Sequence, residues 1–275
     1  MNLFEVARAN GPRLEERGAE ILSSLHPESR RKIEEFRIWI FEEARVSINL
    51  PPAVLAELTS GETYRNIYES AAEQAVLSGR QKDEILRERL GKYYNRRIAF
   101  DMAFSNSEKF RYGVLNAGGA GLTAKFGVFC AVLNKDFLEP SEDMAYLPND
   151  SLVCCFDELG VFDKNRAKRL AASNSHRHWL ATIKHAVAVQ GIPKELWVQD
   201  IVKDDDYIEA IFTSPVSLES LGEVRILKTR YDELWHMAFD DLARKRSDAE
   251  KALMKAFARI LKAVREGRIS LEVLP

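Results

Sequence analysis

Two apolar runs in this chain flank a segment that no regular element tolerates well. Phe110-Arg111-Tyr112-Gly113-Val114-Leu115-Asn116 alternates as a half-buried strand does, and Phe126 to Leu133 (FGVFCAVL) is the most strand-like stretch of all. Between them, Ala117-Gly118-Gly119-Ala120-Gly121 is too rich in glycine to stay regular without tertiary support. The pattern predicts two antiparallel neighbours in one central sheet, with Gly118 to Gly121 at the edge of a cleft. The segment is not a phosphate loop. It lacks the Lys-Ser or Lys-Thr pair after GxxxxG, and it does not fit GxGxxG opening a helix. Its glycines serve either a tight turn or a close backbone approach to a ligand.

Around this centre the chain changes texture twice. Residues 1–107 read as a helical section, with apolar positions at helical spacing such as Ile33, Phe36 and Phe41, and one short alternating run, Val46 to Leu50, entering the core. Pro51-Pro52 interrupts it, and a helix is expected from Thr63 to Leu77 with Thr63 or Ser60 as its cap. Residues 108–230 are strand-rich: Leu152 to Phe156, Tyr207 to Phe212 after Asp204-Asp205-Asp206, and Glu223 to Lys228 all read as strands. Residues 231–275 carry one long helix or two abutting ones, whose stripe includes Leu234, Asp241, Leu242, Phe257 and Ile260, with Gly267 as the stop. Helices, then strands, then helix describe an α+β protein.

Composition narrows the classes. The 275 residues hold 40 Lys+Arg against 42 Asp+Glu and are 46% hydrophobic, which argues against global disorder and against blanket attraction to nucleic acid or anionic membrane. A local basic patch on the C-terminal helix leaves a nucleic-acid contact open. No apolar run approaches a membrane span, so no membrane insertion is expected. The N-terminus lacks the order of a cleaved signal, which predicts a cytoplasmic protein or one exported without a cleavable signal peptide. Three cysteines without zinc-like spacing suit a reducing compartment, and Cys154-Cys155 on a strand would point to opposite faces. His176, His178 and His185 lack an HExxH frame, so no metal site is expected.

Glu209 stands apart. In DDDYIEAIF it shares a strand face with Tyr207 and Ile211, and a carboxylate between apolar strand residues is costly to bury unless it is paired or used.

Four stretches, ELTSGETYRNIYES, RYGVLN, KFGVFCAVL and DYIEAIFTSPVSL, follow the order and spacing of a bacterial family of unknown function, the DUF3626-type proteins, over residues 46–228. The arrangement also resembles the ADP-ribosyltransferase fold, which implies split antiparallel sheets around a cleft that takes NAD as substrate. On that resemblance the chain is an NAD-dependent mono-ADP-ribosyltransferase. The resemblance makes Glu209 the late-strand catalytic carboxylate and Ser151 the group that orients it or the ribose. It places Tyr112, Gly113, Phe126, Gly127, Asp150 and Tyr207 around the cofactor, with Arg65 first and Arg111 second as the arginine that holds it. The acceptor it implies is an unknown macromolecule, a protein in the first instance, in the setting of a toxin, an effector or a housekeeping modifier. The chain departs from the family at Val128-Phe129 (usually Ser-Cys), at Leu152 (usually His) and at Thr213-Ser214 (usually His-Gly). Two rival readings accompany it. One is a noncatalytic interaction protein with a degenerate pocket; the other is a metal-dependent nuclease or hydrolase using Asp150, Asp157 and Asp206.

Overall fold

The computed structural model describes residues 1–123, 125–138, 142–203, 205–239 and 246–275. Asp204, Asp241 and Leu242 lie outside the described residues. Helices α1 (Leu3–Ala9), α2 (Gly11–Ser24) and α3 (Pro27–Glu43) lead into strand β1 (Arg45–Leu50), followed by α4 (Pro52–Leu58), α5 (Ile67–Ser78), α6 (Lys82–Leu90) and α7 (Tyr94–Met102). Then come β2 (Arg111–Asn116), β3 (Phe129–Leu133), α8 (Lys135–Leu138), β4 (Met144–Leu147), α9 (Ser151–Cys154), α10 (Lys164–Leu170), β5 (Ala172–Ser173), α11 (Arg177–Gly191) and α12 (Trp197–Ile201). Strands β6 (Glu209–Phe212) and β7 (Leu221–Leu227), helices α13 (Lys228–Phe239) and α14 (Asp248–Arg265), and β8 (Leu271–Leu274) complete the chain. The α+β class, the helical N-terminal section and the C-terminal helix are all present. No helix among the described residues is long and apolar enough to cross a membrane.

The strands form one eight-stranded sheet in the order β5-β4-β6-β2-β1-β3-β7-β8, rather than two sheets split around a cleft. Among the described residues every strand pairing is antiparallel except β7 with β8. The sheet draws strands from all three sections of the chain, with β1 at its centre. Both apolar runs lie in this sheet as expected, but they are not neighbours. Because β1 pairs antiparallel with each, β2 and β3 point the same way, and residues 117–128 must cross over β1. A return to a parallel strand usually takes a helix. Here the crossing is short, and side chains from the sheet hold it. Asn49 donates to Ala120 O and Gly127 O, both at 3.0 Å, and accepts from Leu122 N at 2.6 Å. Asn116 donates to Gly119 O and accepts from Gly119 N, each at 2.8 Å. The glycines allow that closeness. A Cβ on Gly121 (φ +68°) would stand 2.2 Å from Asn49 Oδ1, and one on Gly127 (φ +149°) 2.2 Å from the Leu50 carbonyl carbon.

The predicted strand over Leu152 to Phe156 is instead the one-turn helix α9. Asp150 starts it, its side chain accepting from Leu152 N at 2.8 Å, and this local cap outweighs the strand preference of Val153. Capping also resets α5: Asn66 and Glu69 form a capping box, so the helix begins at Ile67 rather than near Thr63. The C-terminal stripe divides into α13 and α14, the latter opened by a Ser247–Glu250 capping box and closed before Gly267 (φ +68°).

Facing side chains across antiparallel strands share a side of the sheet. One side carries Val46, Ile48, Leu50, Leu115, Phe129, Ala131, Tyr146, Ala210 and Phe212, packed against apolar residues of α2, α3, α4, α11, α12, α13 and α14. The other side mixes buried apolar Val114, Val132, Leu147 and Ile211 with buried Ser47, Asn49, Asn116, Cys130 and Glu209, so that polar groups lie deep on this side. Its β4–β6 end lies under α1, α7, α9 and α10.

Candidate functional site

Glu209 opens β6, opposite Val114 of β2 and Leu147 of β4. It is only 4% exposed. Its Oε2 accepts the backbone N–H of Ser151 at 3.0 Å, a donor that the first turn of α9 leaves free. Its Oε1 lies 4.0 Å from Arg97 Nη2. The Ser151 hydroxyl lies near enough to favour the carboxylate's charge, yet it completes no well-formed hydrogen bond. Burial, reinforced by the negative charge of Asp150, pushes the Glu209 pKa up to about 8, against the pull of Arg97 and Ser151. Glu209 is therefore mainly protonated at neutral pH.

Arg97 comes from α7 and bridges two buried acids. Its Nη1 is 3.5 Å from Asp101 Oδ1, one helical turn on, and its guanidinium lies 3.9 Å over the Tyr112 ring. Tyr112 donates to Asp101 Oδ1 at 2.5 Å, and Tyr68 donates to Oδ2. Burial still raises the Asp101 pKa, although Arg97 and both tyrosines oppose it. On the outer side, half-buried Asp150 interacts with the Tyr207 hydroxyl. Lys184 ties the two segments together, donating to Pro148 O at 2.5 Å and Tyr207 O at 2.8 Å and pairing with Asp206 at 2.6 Å. The glycine crossover reaches this rim through Leu122, which packs with Tyr207, and through Lys125, 5.9 Å from the Tyr207 ring.

The structure thus brings together Glu209, Ser151, Asp150, Tyr207 and Tyr112, whereas Gly113, paired with Ala210, faces the opposite side of the sheet. It does not bring the two proposed arginines. Arg65 is spent on three carboxylates, Glu57 at 3.7 Å, Glu62 at 3.0 Å and Glu73 at 3.3 Å. Arg111 pairs in register with Phe212, which turns it to the side of the sheet opposite Glu209, where Glu69 meets it at 2.9 Å. Phe126 is half exposed in the crossover, and Gly127 abuts Leu50 at the end of β1 rather than the carboxylate.

Arg97 is the residue that the sequence reading missed. Its signal lies in the spacing: Arg97, Phe100 and Asp101 share one face of α7, with Phe104 just beyond its end, which turns an ion pair inward together with two core aromatics.

The rival metal triad is not assembled. Asp157 accepts from the N–H groups of Leu159 and Val161, Asp206 pairs with Lys184, and among the described residues no three His, Cys, Asp or Glu side chains converge as a metal site. His178 and His185 are core residues against Phe41 and Phe36, and burial lowers both to about 4. Comparison with known proteins gives no matching family model and no matching curated protein.

Proposed function

We propose that this chain is a glycosyl-transfer enzyme centred on Glu209, with NAD as the ADP-ribosyl donor and a macromolecule as acceptor. The observation that supports it is convergence. Glu209, the Ser151 N–H and the Arg97 guanidinium meet beside Asp150 and Tyr207, drawn from three separate segments of the chain. NAD supplies a ribosyl–nicotinamide bond whose cleavage leaves positive charge on the anomeric carbon. In its ionised form Glu209 accepts a ribose hydroxyl and stabilises that charge, while Ser151 and Arg97 fix its orientation. A cation next to Glu209 would favour loss of its proton, so the raised pKa places it near the point of switching.

The fit is better at the ribosyl end than at the phosphates. Arg65 and Arg111 are both neutralised by glutamates, so neither is offered as the pyrophosphate anchor. The test is NAD consumption and ADP-ribosyl transfer by wild type, Glu209→Gln and Arg65→Ala. Turnover by wild type, a loss of about 100-fold or more in Glu209→Gln (about 2.7 kcal/mol), and little change in Arg65→Ala are expected. Activity dependent on the carboxylate rises with pH through about 8. A wild type that neither binds nor consumes NAD overturns the reading.

A second reading, a noncatalytic protein with a polar core, draws on the near-complete burial of Glu209. It predicts that Glu209→Gln alters stability alone.

A further inference from the structure

Cys154 and Cys155 end α9, and the helical turn brings together the sulfurs that a strand would send to opposite faces. Their Sγ atoms are 3.7 Å apart, and Cys154 Sγ also lies 3.4 Å from the Asn149 carbonyl. Cys154 is partly exposed, with exposed Val153 before it, while Cys155 is fully buried behind it. The distance favours one bridging chemistry over another. A disulfide needs the sulfurs at about 2.05 Å, a closure that a regular helical turn resists. A single atom bonded to both sulfurs at about 2.3 Å spans about 3.8 Å at a tetrahedral angle and about 3.4–3.5 Å at the narrower angle, roughly 95–100°, of a pyramidal trivalent centre, so the pair needs at most a few tenths of an ångström of movement.

The surroundings select among bridging atoms. Structural zinc takes four ligands, and among the described residues no third His, Cys, Asp or Glu joins this pair. A monosubstituted trivalent arsenical needs only two sulfurs, because its third bond is already to carbon. We propose that Cys154 and Cys155 form a chelating dithiol site for a trivalent, thiophilic metalloid of this class. The reaction is a condensation. Two S–H bonds and the arsenic–oxygen bonds break, two arsenic–sulfur bonds form, the thiol protons leave with the oxygen as water, and arsenic stays trivalent. The Cys154 hydrogen bond and burial hold the Cys155 thiol well above its usual range, so the partly exposed Cys154 is the sulfur that bonds arsenic first and Cys155 closes the chelate. Cys130 is buried on β3, against Asn116 and Gly119, and is outside the site.

The test uses phenylarsine oxide on the native full chain, read by intact-mass spectrometry and thiol titration. One equivalent is expected to bind, removing two titratable thiols. A dithiol should reverse it, whereas the same concentration of a monothiol should not, because chelation makes the second bond intramolecular. Cys130→Ser should bind as wild type does, while Cys154→Ser and Cys155→Ser should bind at least tenfold more weakly. Circular dichroism should be the same before and after loading. Absence of uptake by native wild type, uptake in Cys155→Ser within threefold of wild type, or loading only with loss of structure would each overturn the proposal.

Discussion

The two sides of the sheet are built from the same strands, yet they solve opposite problems. On the side of Phe129, Tyr146 and Phe212, burial is apolar and the energy is non-directional, scaling with the area removed from water. On the side of Asn49, Asn116 and Glu209, polar groups are buried just as deeply, and each must find a partner of the right geometry. Asn49 and Asn116 do so by binding the backbone of the crossover. Glu209 does so incompletely, with one good hydrogen bond and a distant guanidinium. The apolar side can lose a contact and pack again. The polar side has only the conformations that satisfy it, and its least satisfied member is the candidate catalytic group.

The comparison breaks most sharply at Phe129, which is fully buried at the centre of the apolar side. Phe129→Ala should cost about 3–5 kcal/mol in urea unfolding, and the cost should be nearly independent of pH. A cost below about 1 kcal/mol would mean that this side is not the main store of stability.

Glu209→Gln tests the other side, and its effect should depend on pH. The wild-type carboxyl titrates near 8 when folded and near its ordinary 4.5 when unfolded. Between those values the folded state holds a proton that the unfolded state has lost, so wild-type stability falls as pH rises through that window and levels off above about 8. Glutamine has no such titration. Relative to wild type, Glu209→Gln should therefore gain about 3 kcal/mol between pH 4.5 and pH 9, after allowing for local relaxation. Parallel stability curves for the two proteins would show that Glu209 is already ionised in the fold.

Arg97→Met comes next, at about 2 kcal/mol. Removing the guanidinium leaves Asp101 with only its two tyrosine donors, while Glu209 answers by staying protonated. Adding Asp101→Asn should recover part of the loss, and the double-mutant cycle measures the coupling. Strictly additive losses would show that the two side chains do not communicate.

Much of this contrast was legible in the sequence. Alternation placed both apolar runs in the central sheet, and the cost of burying a carboxylate singled out Glu209, which the fold does bury. Pairing order was not legible. Nothing in the alternation of residues 110–116 and 126–133 shows that β1, from far earlier in the chain, stands between them. The same limit misplaced Arg111, because which side of the sheet it shares with Glu209 depends on register against β6 and not on its proximity to Tyr112. It also hid α9, whose apolar letters read as a strand until Asp150 and Glu209 claim its first amides. Tertiary partners tens of residues away decided the first two, and at α9 Glu209 adds a distant acceptor to the local Asp150 cap.

The smallest expected effect concerns how local the polar side is. Asn49 makes three of the bonds that hold residues 117–128 across β1: it binds Ala120 O and Gly127 O and receives Leu122 N. Asn49→Ala removes all three and vacates the space that Gly121 leaves open to the side chain. The freed groups belong to a surface crossover, so water can reach them once it lifts, and the global cost should stay near 1–2 kcal/mol. Amide exchange of Leu122 should accelerate far more than that of Ala131, whose apolar side is untouched, since opening becomes local rather than global. Because Leu122 and Lys125 border Tyr207, loosening the crossover should also lower any NAD turnover without shifting its pH midpoint, since Asn49 does not touch Glu209. Equal acceleration at Leu122 and Ala131 would instead show that the crossover and the sheet open as one unit.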